Sequence, residues 1–99
     1  MNYIKRIEEY VDFLSHDETQ TGGIKYILVF ITNDGILHHN IGNELFVLAD
    51  SYDNEYLTPK EALKIVLINQ DSKIGAIYER KENSFELLVK EGISNGKAY

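Results

Sequence analysis

The chain has 99 residues, enough for one domain with one core, and its 43% hydrophobic and 26% charged residues exclude a wholly disordered state. It contains no cysteine, which rules out disulfides and thiolate metal sites and suits a reducing compartment. A formal net charge of −6 speaks against direct nucleic-acid binding, which depends on neutralising phosphates with lysine and arginine.

Residues 1–9 carry too many charges for the apolar centre of a signal peptide. The longest wholly apolar run, Tyr26 to Ile31, is six residues, against the roughly 20 of a membrane helix. A soluble cytoplasmic protein is expected, with no membrane contact. Residues 2–15 read as an amphipathic helix. Tyr3, Ile4, Ile7, Tyr10, Val11 and Leu14 share one face, and Lys5, Glu8, Glu9 and Asp12 lie opposite. Glu8 and Asp12 are like charges one helical turn apart, which is unfavourable. Phe13 lies off the apolar stripe.

Residues 16–23 read as a polar loop closed by two glycines. Ile24 to Thr32 is rich in β-branched and aromatic residues and apolar on nearly both faces, the pattern of a central strand covered on each side. If exposed, Tyr26 to Ile31 would be prone to aggregate, a second reason to place it mid-sheet. Asn33-Asp34-Gly35 is a hairpin signal, read as a type I′ turn, and the return strand covers about 36–41. Residues 44–49 read as a third strand because of Phe46 and Val47, with a short helix capped by Asn43 as the alternative.

Residues 50–56 lack periodicity and read as a surface loop. Thr58, Pro59 and Glu61 then form a capping-box signature, with proline at the first helical position. The helix should run from Pro59 to about Asn69, apolar over most of its circumference and central to the core. A second hairpin follows, 73–80 and 84–90 around Lys81-Glu82-Asn83. Its last strand alternates Phe85, Leu87 and Val89 with polar residues, Leu88 departing from the scheme, and could be a sheet edge.

The expected fold is α+β: two helices packed on one face of an antiparallel sheet built from two hairpins, in the order α-β-β-(β)-α-β-β. Residues 1–91 form the domain and 92–99 a flexible tail. This order is similar to that of some double-stranded-RNA-binding domains. The acidic charge and the lack of a basic helix start oppose that function.

No catalytic constellation or cofactor motif emerges. His38 and His39 are adjacent on a strand and point to opposite faces, so they cannot easily share a metal ion. Residues 50–55 imitate a calcium loop only superficially, with Tyr52 at a ligand position and Glu55 where glycine belongs. Ser15-His16-Asp17 are sequence neighbours, which rarely adopt triad geometry. Gly22-Gly23 matches no phosphate-binding fingerprint.

The strongest functional signal is local charge. Between Tyr26 and Pro59 there is no lysine or arginine, yet there are five carboxylates: Asp34, Glu44, Asp50, Asp53 and Glu55. Within that stretch Asp50, Tyr52, Asp53, Glu55 and Tyr56 combine acids with large, stiff contact residues. They are the candidate protein-binding site. The competing reading is a solvated loop whose acids favour the positive end of the next helix and whose tyrosines fold back onto the core. The expectation is a non-enzymatic adaptor or inhibitor of a basic, nucleic-acid-handling protein. Bacterial immunity proteins and phage-encoded inhibitors offer a class analogy. A homodimer through a sheet edge would also fit. The second reading is a small-ligand sensor with a pocket between sheet and helices near Tyr10, Tyr26 and Tyr78.

Overall fold

The most apolar strand in the sequence is also the best-covered strand in the fold. A computed structural model describes residues 2–53, 55–94 and 97–98. They form α1 (Tyr3–Ser15), α2 (Glu18–Thr21), β1 (Tyr26–Thr32), β2 (Leu37–Gly42), α3 (Leu45–Leu48), α4 (Pro59–Asn69), β3 (Ser72–Arg80), β4 (Phe85–Glu91), β5 (Ile93–Ser94) and β6 (Lys97–Ala98). The first four strands make one antiparallel sheet ordered β2-β1-β3-β4, and β5 pairs with β6. The α+β class, both hairpins, the inner position of β1 and the edge position of β4 agree with the sequence reading. No helix among the described residues is long and apolar enough to cross a membrane.

Ile27 to Ile31 are all no more than 3% exposed, although they alternate between opposite faces. Ile27, Val29 and Ile31 pack with Ile7, Val11 and Leu14 of α1 and with Ile74, Ala76 and Tyr78 of β3. Leu28 and Phe30 pack with Leu48, Leu57, Ala62, Leu63, Val66 and Ile77 on the other side. Thus α1 covers one face, and α3 with α4 covers the other. The expected placement of both main helices on one face is corrected. A strand apolar on both faces needs cover on both, since each exposed aliphatic side chain would forgo about 1.5–3 kcal/mol of burial.

The two main helices begin as their caps dictate. Asn2 accepts a hydrogen bond from the Lys5 amide at 3.1 Å. Thr58 and Glu61 form the reciprocal capping box with Pro59 leading α4. Yet α4 buries only Ala62, Leu63 and Val66, and Ile68 is 72% exposed. The core is organised around β1 and β3 instead, and α4 lies on it as a cover. That cover is close: a Cβ added at Gly75 would sit 3.0 Å from the Val29 carbonyl oxygen and 3.0 Å from Leu67 Cδ2. The end of α4 is tied to the first hairpin, where the Asn33 amide and side chain donate to Asp71 O and Oδ1, both at 3.1 Å.

Four local readings change. The loop 16–23 contains α2, started by Asp17 and anchored by buried Thr21, whose hydroxyl reaches the Leu14 and Asp17 carbonyls at 3.0 Å. One helical turn is too short to show periodicity. Residues 45–48 are helix rather than strand. A single turn lays Leu48 and the half-buried Leu45 and Phe46 onto the sheet, overriding local strand preference. Glu44 occupies the cap position, and Asn43 instead accepts from the Lys25 amide at 2.8 Å.

In the first hairpin only Gly35 has positive φ, at 86°. The Gly35 amide donates to Thr32 O at 2.8 Å, and Thr32 N donates to Ile36 O at 3.0 Å. This is a three-residue loop, not a type I′ turn, which would require positive φ at Asp34 as well. In β4, Val89 pairs with Ile77 but Leu87 pairs with Tyr78, so Leu88 is an extra residue in a bulge. The bulge sends Phe85 towards α1 and Val89 towards α4, explaining why Leu88 broke the alternation. Of the expected tail 92–99, residues 95, 96 and 99 lie outside the described residues.

Replacing Gly75 with valine should lower the unfolding free energy by about 2 kcal/mol, because the branched side chain must push α4 off the sheet. A urea midpoint unchanged from the parent would contradict this account of the α4 contact.

Candidate functional site

The α3–α4 connection begins with a backbone constraint. Asp50 has φ of 51°, the left-handed conformation that follows a helix end. The Ser51 amide reaches back to Phe46 O at 2.9 Å and the Asp50 amide to Val47 O at 3.1 Å, the paired bonds of a Schellman motif. Asp50 is therefore first a helix-ending residue. It borders a small cleft of about 180 Å³ together with Asn69 and Gln70, at the C-terminal end of α4.

Tyr56 stands two residues before the cap of α4, at the opposite end of that helix. Eleven residues of helix span about 16 Å. The five candidate residues are thus a strip beside α4 rather than a single cluster. All five are exposed. Tyr52 is 64% and Tyr56 91% exposed, so neither ring folds back onto the core. Tyr52 meets Phe46 edge-on with centroids 5.9 Å apart, and Val47 is exposed beside it in the same short helix. Phe46 and Val47 belong to this surface, although their residue types had suggested strand. Asp50, Asp53 and Glu55 form no ion pair with any described residue.

The other two carboxylates of the lysine-free stretch lie elsewhere. Asp34 is in the β1–β2 turn, where the Thr32 hydroxyl donates to it and holds its carboxyl below the ordinary range. Glu44 occupies the N-cap position of α3, with no side-chain cap bond. Charge that is continuous in sequence is divided in space.

The histidines act as packing residues. The His38 ring stacks on Phe30 at 5.1 Å, while His39 Nδ1 meets the Tyr10 hydroxyl at 2.6 Å on the α1 side. They face opposite ways, as strand alternation requires. The Ser15 hydroxyl donates to Asp12 O at 2.7 Å, and the Asp17 carboxylate accepts from the Thr19 amide and hydroxyl. Ser15-His16-Asp17 thus makes helix-end and cap contacts, and the aspartate serves α2. Among the described residues no group of three or more histidines and carboxylates is placed to hold a metal.

The three tyrosines considered for a ligand pocket do not converge. Tyr10 and Tyr78 lie on the α1 side, and Tyr26 packs towards α4 with Lys25 Nζ 5.1 Å from its ring centre. Tyr78 differs from the others: it is 9% exposed, yet its hydroxyl has no hydrogen-bond partner among the described residues. Burial, and secondarily the charge of Glu8, push its pKa up to about 12.

Comparison with known proteins found no matching family model, no matching curated protein and no matching solved structure.

Asp50→Gly should leave stability unchanged or raise it by up to about 1 kcal/mol, since glycine adopts the left-handed conformation without steric cost. A clear fall in melting temperature would mean that the Asp50 side chain contributes to the fold. The raised pKa of Tyr78 has a defined sign. Below its ordinary value of 10.0 the hydroxyl is protonated in both states, and from there to about 12 only the unfolded chain loses the proton. Stability should therefore fall with rising pH across that window, and Tyr78→Phe should flatten the fall in alkaline denaturation curves.

Proposed function

We propose that this protein is a small, non-enzymatic binding module, an adaptor or inhibitor that engages a basic protein through the strip beside α4. The reading is carried by Tyr52 and Tyr56, which hold their rings in solvent among the carboxylates of Asp50, Asp53 and Glu55. Rings of that size offer large, rigid contact area, while carboxylates without ion-pair partners among the described residues steer a cationic surface towards them. Phe46 and Val47 extend the apolar part of the contact.

A nucleic-acid-handling partner acting in the cytoplasm suits this chemistry, because its phosphate-binding surface is rich in lysine and arginine. The protein would compete for that surface through its carboxylates. A single copy suffices. The open edge of β4 is where a second chain would pair, but its bulge at Leu88 and the charges of Glu86, Lys90 and Glu91 discourage pairing.

Affinity capture from lysate at low and moderate salt tests the proposal. The native chain should retain a basic protein that is lost with Asp50→Lys/Asp53→Lys/Glu55→Lys and also with Tyr52→Ala/Tyr56→Ala. Retention indifferent to both sets would overturn the reading.

A further inference from the structure

On the opposite side of the sheet from the acidic strip, α1 and β4 border a groove of about 260 Å³. Glu8 and Asp12 form one wall, Val11, Phe85 and Leu87 supply apolar surface, and Tyr78 of β3 also lines it. Three observations converge here. Glu8 and Asp12 are like charges one helical turn apart, an arrangement that destabilises a helix unless a cation lies between or beside them. Neither forms an ion pair with a described residue.

The second observation is Tyr78. More than nine-tenths of this residue is buried, yet its hydroxyl makes no hydrogen bond with a described residue. No fully sealed side-chain polar atom lacks a partner among the described residues, so this hydroxyl is open to the groove that Tyr78 lines. An accessible hydroxyl on an otherwise buried tyrosine can complete its hydrogen bonding with a molecule in the groove. A phenol oxygen can accept from an N–H donor.

The third is Arg80, which neighbours the groove through Phe85. The Arg80 guanidinium lies 4.7 Å from the Phe85 ring centre, but its donors are directed to the carbonyls of Thr21 and Ile24. It is engaged with the chain and forms no ion pair with the two carboxylates. It also demonstrates that Phe85 accepts a guanidinium at its ring.

We propose that this groove binds an organic cation, an ammonium or guanidinium group on a short apolar stem. The N–H donors are received by Glu8, Asp12 and the Tyr78 hydroxyl, and the stem lies on Val11, Phe85 and Leu87. The volume is below that of pockets for drug-sized ligands, so the ligand is small or is one side chain of a larger molecule. This site is independent of the strip beside α4.

Agmatine, which carries both cationic groups on an alkyl stem, is the probe. Titration followed by NMR and calorimetry should give saturable shifts at Tyr78, Phe85 and Glu8, with pentanol at equal concentration giving none. Glu8→Gln/Asp12→Asn changes only exposed side chains and should weaken agmatine binding by about tenfold or more, the scale of lost hydrogen bonds to a charged group. Tyr78→Phe should weaken it several-fold. Asp53→Asn/Glu55→Gln, with the same loss of charge on the other face, should leave it unchanged.

A capped Gly-Arg-Gly peptide separates the two sources of the cation. Tighter binding than agmatine assigns it to a protein side chain, and weaker binding to a free amine. The inference is overturned by absence of saturable agmatine binding in the millimolar range. Equal weakening by both carboxylate pairs, or no effect of Glu8→Gln/Asp12→Asn, would also overturn it.

Discussion

Five consecutive buried residues in β1 constrain the whole fold. Ile27 to Ile31 point alternately up and down, so burying all of them demands apolar cover on both sides of the sheet. One helix cannot do this. Helix α1 meets Ile27, Val29 and Ile31, and α4 with α3 meets Leu28 and Phe30. The same requirement places β1 and β3 at the centre, where each gains a strand neighbour on both edges. Close packing then follows: Gly75 lets α4 approach the sheet, and the single turn of α3 closes the remaining area.

The double cover also separates two surfaces that differ in chemistry. Beside α4, carboxylates and two exposed tyrosine rings form an extended strip suited to a broad contact. Beneath α1, two carboxylates and the hydroxyl of Tyr78 border a groove suited to one small cationic group. Both are acidic, but one is open and the other recessed, and a four-stranded sheet lies between them. Losing charge on one surface therefore need not disturb the other.

Several sequence features took on a different meaning once their neighbours were known. Asp50 looked like part of a charged hot spot, and it also ends α3 in the left-handed conformation. Leu88 looked like an imperfection in alternation, and it is the bulge that directs Phe85 and Val89 to different cores. In the sequence Tyr10, Tyr26 and Tyr78 are equivalent, but of the three only Tyr78 is buried, and its hydroxyl has no hydrogen-bond partner among the described residues. The acidic strip was legible because charge and aromatic residues are adjacent along the chain. The groove was not, because Glu8, Tyr78 and Phe85 come from three elements far apart in sequence.

By itself the sequence determined features governed by neighbouring residues: the capping box that starts α4 at Pro59, the amphipathic stripe of α1, the hairpin boundaries and the need to bury β1. It also specified that β1 was apolar on both faces. Only the tertiary structure decided which helix covers which face, that residues 45–48 close into a helical turn, and that the lysine-free stretch splits into separate sites. The physical reason is range. Caps, turns and alternation act over a few residues, whereas cover, groove and charge grouping depend on segments brought together by burying the sheet.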